Sequence, residues 1–378
     1  MSFAGATLQG SYSGATGTIY ETGFYYGTSS GNLNLQITGD GSNSASGDFQ
    51  CNITGLNAST KYYYKAYVLE WNASTSSYVE RFGEEQNFTT SAAPAYVPTG
   101  WLELPRSTSG ASLMTGTYRD GTSARNYTYL YDRSMYSSMW VAYPLYADTY
   151  SGSNKYSGSW GPATGNGFGT NNSNGYQINI WSNSYNVYLG NTMYSDPFST
   201  SGNEYYARGH QIPDADRQYN QTMVQQTYYA INSTPQIQNK FNGGIWQQLE
   251  QAVRAQASTT DTLYVATGPA FDRADIAGTE AVTWITPRGD PSKTCPVPNY
   301  YWKVLLKVTR NGSGQVTSAC SIGFWFVHQE YSNSNYASFA VSVNTIEERT
   351  GLDLFANLPD EIEETVEANS TWQTFQNF

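Results

Sequence analysis

Tyr206-Ala207-Arg208-Gly209-His210-Gln211-Ile212-Pro213 carries one of only two histidines in the chain. Downstream come Asn232-Ser233-Thr234-Pro235-Gln236 and Phe241-Asn242-Gly243-Gly244-Ile245-Trp246-Gln247-Gln248-Leu249-Glu250, then Arg254. One segment thus orders a titratable imidazole, amide oxygens suited to a hard cation, a carboxylate and two guanidinium groups. Phosphodiester hydrolysis calls for such a set: a base for water, a cation for the departing oxygen, and positive charge for the phosphate.

Around that segment, 378 residues exceed what most single cores hold, so two domains are expected. Charged side chains make up 13% and aromatic ones 15%, with 33 tyrosines. The polar surface therefore rests on hydroxyls and amides more than on ions, a composition that suits exported, β-rich proteins. No run of about 18 apolar residues is present, so no transmembrane helix is expected. Met1-Ser2-Phe3-Ala4-Gly5 lacks a basic start and an apolar core. Export is expected nonetheless, to periplasm, cell surface or medium, with the leader absent from this sequence.

A formal charge of -11 runs against nucleic-acid binding, which normally draws on Lys and Arg. The acidity is peripheral, however. Residues 1–90 hold 3 basic and 7 acidic side chains, and Asp360, Glu361, Glu363, Glu364 and Glu367 form an acidic run. Between 208 and 359 the balance is 11 basic to 12 acidic. A near-neutral core predicts weak, salt-sensitive substrate capture with no broad basic face.

Alternation of period two predicts strands across residues 6–90. Leu33, Leu35 and Ile37 share one face, as do Phe49, Cys51 and Ile53, and then Tyr62, Tyr64, Ala66 and Val68. Gly-rich turns between them imply a small antiparallel sandwich over 1–91. Residues 92–100, with two prolines, read as a stiff linker, and 101–378 as an α+β domain with a sheet core. Within it Met139–Tyr143 reads as a central strand, and 147–204 as a polar insertion. Tyr176, Ile178 and Ile180 alternate there as a strand would, with Asn183-Ser184 turning the chain into Tyr185–Leu189. Asn242 to Ala257 is helical in pattern; Thr262–Ala266, Tyr301–Val308 and Ser321–Val327 read as strands, and Ile346 starts a short helix. Cys295 and Cys320 are either a disulfide or two buried thiols.

From Tyr205 to Arg254 the spacing resembles the DNA/RNA non-specific endonucleases, a branch of the ββα-metal nucleases that includes mitochondrial endonuclease G. The family's pattern is Asp-Arg-Gly-His, Asn-x-x-Pro-Gln, then Asn-x-Gly-x-Trp with Glu and Arg further along. Trp140–Tyr143, Thr267-Gly268-Pro269, Tyr301–Val304 and Ile346–Leu352 follow as further landmarks, so the resemblance covers roughly 100–360. Separately, Leu56–Tyr62 resembles the tyrosine corner of fibronectin type III modules, with Phe88-Thr89-Thr90 as a closing strand.

The nuclease resemblance implies a catalytic set of His210, Arg208, Glu250, Asn232 and Arg254. His210 is the general base, Arg208 and Arg254 meet the phosphate, and Asn232 orients the site. Asn242 is implied as the one protein ligand of Mg²⁺, with Mn²⁺ able to substitute. DNA and RNA are the implied substrates and 5′-phosphates the products. On a continuous helix Asn242, Trp246, Glu250 and Arg254 would form one stripe, with Glu250 about 12 Å beyond Asn242 along the axis. Glu250 is therefore expected to reach the ion through water, with Trp246 packing beneath. Gly243-Gly244 would admit a close approach of phosphate to the helix start.

Three positions depart from the pattern. The leading Asp is Ala207, one extra residue lies between Pro235 and Asn242, and a further phosphate-binding Arg has no match, Lys155 being the nearest cation. These departures frame an alternative: an exported surface-binding or adhesion protein on a nuclease fold that has lost turnover. Elsewhere the plain readings prevail. His328 is a sheet residue, Pro213–Asp216 is a turn, and the tyrosines of the insertion lie on a β surface.

Overall fold

The computed structural model describes residues 6–42, 44–53, 56, 59–91, 100–106, 109–121, 123–147, 151–182, 185, 188–189, 192–193, 206–271, 281–333 and 335–378. Residues 92–99 of the expected linker and the turn expected at 183–184 lie outside them. The chain divides into two compact units. One is built on Met1–Val97 with Thr309–Ser318 and Glu364–Ala368, the other on the remainder.

In the first unit the alternating sequence forms β1 (Ala6–Ser13), β2 (Thr18–Gly27), β3 (Leu35–Gly39), β4 (Ser46–Ile53), β5 (Lys61–Asn72), β6 (Ser77–Phe82) and β7 (Gln86–Thr89). β1 and β4 pair antiparallel, with Ala6 opposite Ile53. β3-β2-β5-β6 make a second sheet, and β7 also pairs with β5. Ala6, Leu8, Cys51 and Ile53 from one sheet meet Phe24, Tyr62 and Phe88 from the other. The unit is all-β, as expected. One position differs: Ile37 packs on this core, but Leu35 is 45% exposed. β3 is an edge strand facing a two-stranded sheet too narrow to cover its start.

The second unit adds β8 (Leu113–Arg119), β9 (Arg125–Asp132), β10 (Ser137–Leu145), β11 (Tyr188–Leu189), β12 (Thr192–Met193), β13 (Tyr206–His210) and β14 (Ser233–Ile237). It continues with β15 (Leu263–Ala270), β16 (Thr283–Ile285), β17 (Cys295–Val297), β18 (Tyr300–Arg310), β19 (Val316–Val327) and β20 (Ala340–Val341). Seven of these form one sheet, in the order β20-β19-β18-β15-β10-β9-β8. The apolar run at Met139–Tyr143 lies on β10, paired antiparallel to β15 on one side and β9 on the other. Residues 300–308 of β18 are buried without a break, as an interior strand covered on both faces requires.

Of the helices, α1 spans Gln221–Thr227 and α2 spans Gln247–Ala257. Leu249, Val253 and Ala257, four residues apart, point one stripe of α2 at the sheet. There they share a core with Val265, Tyr301 and Leu305. α3 (Val343–Thr350) starts where the Thr345 N–H donates to Ser342 Oγ at 3.1 Å. It stops at Gly351, whose φ of 70° is left-handed. α4 (Asp360–Glu367) and α5 (Trp372–Asn377) follow. No helix among the described residues is long and apolar enough to cross a membrane.

Two expectations need correction or closure here. Tyr176–Ile180 is not a strand. Its backbone is held by local and side-chain groups, with the Gln177 N–H on Asn172 Oδ1 at 2.9 Å and the Asn179 N–H on Asp290 Oδ2 at 3.2 Å. The alternation arises because Ile178 and Ile180 enter a small core with Tyr185, Ile285, Cys295 and Val297. A short antiparallel strand pair does occur later in the insertion, β11 with β12. Cys295 on β17 and Cys320 on β19 are separate buried thiols, each pushed up by burial.

Candidate active site

β13 and β14 form an antiparallel ribbon in which Arg208 faces Pro235 and His210 faces Ser233. Arg208 and His210 are two residues apart on a strand, so both side chains leave the same face. Asn232, just before β14, is fully buried. Its Nδ2 donates to the carbonyls of Ile212 at 3.0 Å and Thr227 at 2.8 Å, and its Oδ1 accepts from the Ile212 N–H at 3.0 Å. With both amide hydrogens and the oxygen engaged, Asn232 clamps the chain leaving His210 and presents no donor to a substrate. Asn232→Leu strands these buried partners and is expected to cost about 2–3 kcal/mol of stability, read as a lowered Tm. An unchanged Tm would contradict this clamp.

The His210 ring sits 4.6 Å from Trp160 and 5.1 Å, edge to face, from Tyr228. The two aromatics are tied together through backbone. The Gly161 N–H donates to Tyr228 O at 3.1 Å, and the Ala230 N–H donates to Gly161 O at 2.9 Å. Tyr228 Oη in turn donates to Asp214 at 2.9 Å. Arg208 also lies by Trp160, its guanidinium carbon 5.9 Å from the ring centroid. His210 Nε2 is shielded from solvent and has no hydrogen-bond partner. Burial lowers the imidazole to about 4; Asp214 opposes that shift and Arg208 adds to it. His210 is thus neutral at neutral pH, as a base must be.

His328 is a useful contrast. Its Nε2 accepts the Ile237 N–H at 2.8 Å, and its Nδ1 lies 2.8 Å from Pro298 O, so Nδ1 carries the proton. Both nitrogens are committed, which agrees with a structural reading.

The turn expected at Pro213–Asp216 is present as a single 3₁₀ turn, yet its carboxylates do more than close it. Asp216, buried, accepts from Tyr143 Oη at 3.0 Å and pairs with Arg254 Nη1 at 2.9 Å. Glu250 lies one turn before Arg254 on α2. Burial pushes its carboxyl up to about 7; Lys303 and Arg254 oppose the rise, while Asp216 and Asp214 add to it. Asp214 therefore acts on both His210 and Glu250. Trp246 packs beneath as expected, buried and stacked on Phe241 at 5.9 Å.

The structure corrects the position of Asn242. Gln238–Trp246 is a broad irregular turn of π type, not the start of the helix. Lys240 has φ 61°, and Gly244 adopts φ -138°, ψ -113°, which breaks any continuous spiral. α2 begins only at Gln247, so Trp246, Glu250 and Arg254 keep their common stripe and Asn242 leaves it. The axial separation expected between Asn242 and Glu250 has no helix to act along. The one extra residue between Pro235 and Asn242 falls where this turn begins.

Asn242 Nδ2 donates to Gln238 Oε1 at 2.8 Å. That bond orients the amide and leaves Oδ1 for another partner. An amide oxygen is a donor that a hard divalent cation accepts. No group of three or more His, Cys, Asp or Glu among the described residues is placed to hold a metal. One open amide oxygen suits an ion that keeps most of its waters. Ala207 is buried opposite Gln236, and Lys155 is exposed.

A two-stranded ribbon, a broad turn and a helix, presenting an imidazole, a guanidinium and an open amide oxygen, are the parts of a ββα nuclease fold. Residues 109–361 match the family model described as DNA/RNA non-specific endonuclease, and the chain belongs to that family. It is 29% identical over 157 residues to Nuclease 1, mitochondrial, of Schizosaccharomyces pombe, covering 41% of this chain and 47% of that protein. It is 30% identical over 165 residues to the Nuclease of Serratia marcescens, covering 43% and 55%. Endonuclease G, mitochondrial, of Caenorhabditis elegans is 26% identical over 155 residues, covering 40% and 48%. The chain thus spans about half the length of the curated relatives it matches.

Proposed function

We propose that the chain is a divalent-cation-dependent endonuclease that hydrolyses phosphodiester bonds of both DNA and RNA. The observation that carries this reading is His210: neutral, clamped between Trp160 and Tyr228, and with no protein partner at Nε2. Such an imidazole takes a proton from water as the bond to phosphorus forms. Arg208, on the same face of β13, and the donors of Arg254 not spent on Asp216 meet the phosphate. Asn242 Oδ1 would hold Mg²⁺ or Mn²⁺, and Glu250 would order water beside it. The ion, when bound, stabilises the departing 3′ oxygen. Asn232 acts only by holding the segment after His210.

Export remains part of this reading, supported by composition. The N-terminal unit is read as a fibronectin type III-like module, supported by Tyr62 buried against Phe88 at 5.7 Å.

Incubating the full chain with supercoiled plasmid and with single-stranded RNA in Mg²⁺ tests the activity. Cleavage of both polymers with 5′-phosphate ends is expected. Turnover of neither one would overturn the reading in favour of a binding protein.

A further inference from the structure

In the N-terminal unit β5 and β6 pair with Tyr67 opposite Phe82, Leu69 opposite Glu80 and Trp71 opposite Tyr78. On the other side of β5, Glu21 of β2 faces Leu69. Tyr62, Tyr64 and Ala66 turn inward to the sandwich core, so residues 67, 69 and 71 and their partners stand on the outer face. Rings gather at both ends of that face. At one end Tyr78 lies 4.9 Å from Trp71, edge to face, and 5.2 Å from Tyr20. Trp71 is 37% exposed, Tyr78 51% and Tyr20 61%. At the other end Tyr25 lies 6.0 Å from the exposed Phe82 and 4.9 Å from the buried Tyr67. Four residues of strand hold the two groups about 13 Å apart.

Between the rings stand two carboxylates. Tyr67 Oη donates to Glu21 Oε1, and Tyr25 Oη donates to Glu80 Oε1 at 2.9 Å. Each carboxylate keeps a second oxygen that can accept. The three cations of residues 1–90 are already engaged: Arg81 with the buried Glu70 at 2.9 Å, Lys65 over Phe82 at 4.0 Å and Lys61 over Tyr63 at 5.0 Å. A polyanion would therefore meet carboxylates here and no unengaged Lys or Arg of these strands. A second copy set face to face would bury the carboxylates of both chains against each other. A neutral sugar suits every group present. The C–H face of its ring stacks on an aromatic face, and its hydroxyls donate to carboxylate oxygens. The separation of the two ring groups calls for several sugar units in an extended chain.

We propose that the outer face of β2, β5 and β6 binds a neutral polysaccharide. Trp71, Tyr78 and Tyr20 form the stacking surface at one end, Tyr25 and Phe82 continue it at the other, and Glu80 and Glu21 accept hydroxyls between them. The site lies wholly within the N-terminal unit, so it stands whether or not the second unit cuts nucleic acid.

The full chain is run in native gels cast with hydroxyethyl cellulose, mixed-linkage β-glucan, galactomannan or soluble starch, and in one cast with heparin as the polyanion. Retardation by at least one neutral polymer, and none by heparin, is expected. Trp71→Ala combined with Tyr78→Ala should weaken that retardation at least about tenfold, as removal of central aromatic contacts does. Glu80→Gln should weaken it less. These side chains are exposed, so the melting temperature should stay close to that of the wild type. If the double variant fails to fold, Tyr20→Ser, at the most exposed of the three rings, is expected to weaken retardation in the same gel. No retardation in any neutral gel, or equal retardation of wild type and ring variants, overturns the proposal. Retardation by heparin alone would make the face a polyanion site. A dimer that the ring variants disperse, with no retardation by sugar, would make it a self-association surface. Either result overturns the proposal as well.

Discussion

Replacing His210 with alanine is expected to slow cleavage of DNA and RNA by about 10²–10⁴-fold. The range follows from what the imidazole does in the proposed reaction and from what cannot replace it. Asp214, the acidic group acting on His210, is engaged by Tyr228 Oη, so it has no free run to the position of Nε2. His328 has both nitrogens committed to Ile237 and Pro298. Glu250 keeps its proton to about pH 7 and is a weak base below that.

The variant should still fold, because His210 Nε2 bonds to no protein group. What is lost is ring contact with Trp160 and Tyr228, worth about 1 kcal/mol. Rate and melting temperature therefore separate: a large fall in rate with a Tm shifted by a few degrees at most. A rate within tenfold of wild type would remove His210 from the chemistry. A collapse of Tm alongside the rate would make it a packing residue.

Which parts of this site were legible in the sequence follows from how each part is encoded. Arg208 and His210 were legible only as a motif; the strand Tyr206–His210 that puts them on one face carries no apolar alternation to mark it. Leu249, Val253 and Ala257 repeat every four residues, so α2 and its buried side are visible, and Trp246, Glu250 and Arg254 come with it. Such regularities are local.

The start of the helix was misread for a local reason too. Gly243-Gly244, expected to admit phosphate to the helix start, instead supplies backbone angles outside the helical region, so the helix begins only after the pair. What could not be read depends on distant segments. Trp160 reaches His210 because residues around 161 and 228–230 share backbone hydrogen bonds, and nothing in the polar insertion marks that pairing. Asp214 and Asp216 look like turn residues and are turn residues. Their partners, Tyr228, Tyr143 and Arg254, come from three other elements. Tyr176, Ile178 and Ile180 show the converse error, a period of two produced by a loop that dips twice into one small core.

Chelation of divalent cations is expected to abolish cleavage. Asn242→Ala is expected to raise the Mg²⁺ concentration for half-maximal rate by at least about 100-fold, since even outer groups around a metal ligand contribute 10–100-fold. Asn242 stands on a turn whose shape depends on non-helical residues at 239, 240, 243 and 244. Gln238, one end of that turn, holds the Asn242 amide nitrogen at 2.8 Å. The amide is thereby prevented from rotating, and its oxygen is the end left for the ion. Gln238→Leu removes this restraint without removing the ligand, so its effect should be smaller and of the same kind: a higher Mg²⁺ requirement with little change in rate at saturation. Asn242→Asp keeps an oxygen at the same place and should retain far more affinity than alanine does. The ordering Ala worst, then Gln238→Leu, then Asp is specific to a single amide-oxygen ligand held by its neighbour. Equal Mg²⁺ dependence across all three variants and wild type would place the ion elsewhere, and cleavage that survives full chelation would remove it from the reaction.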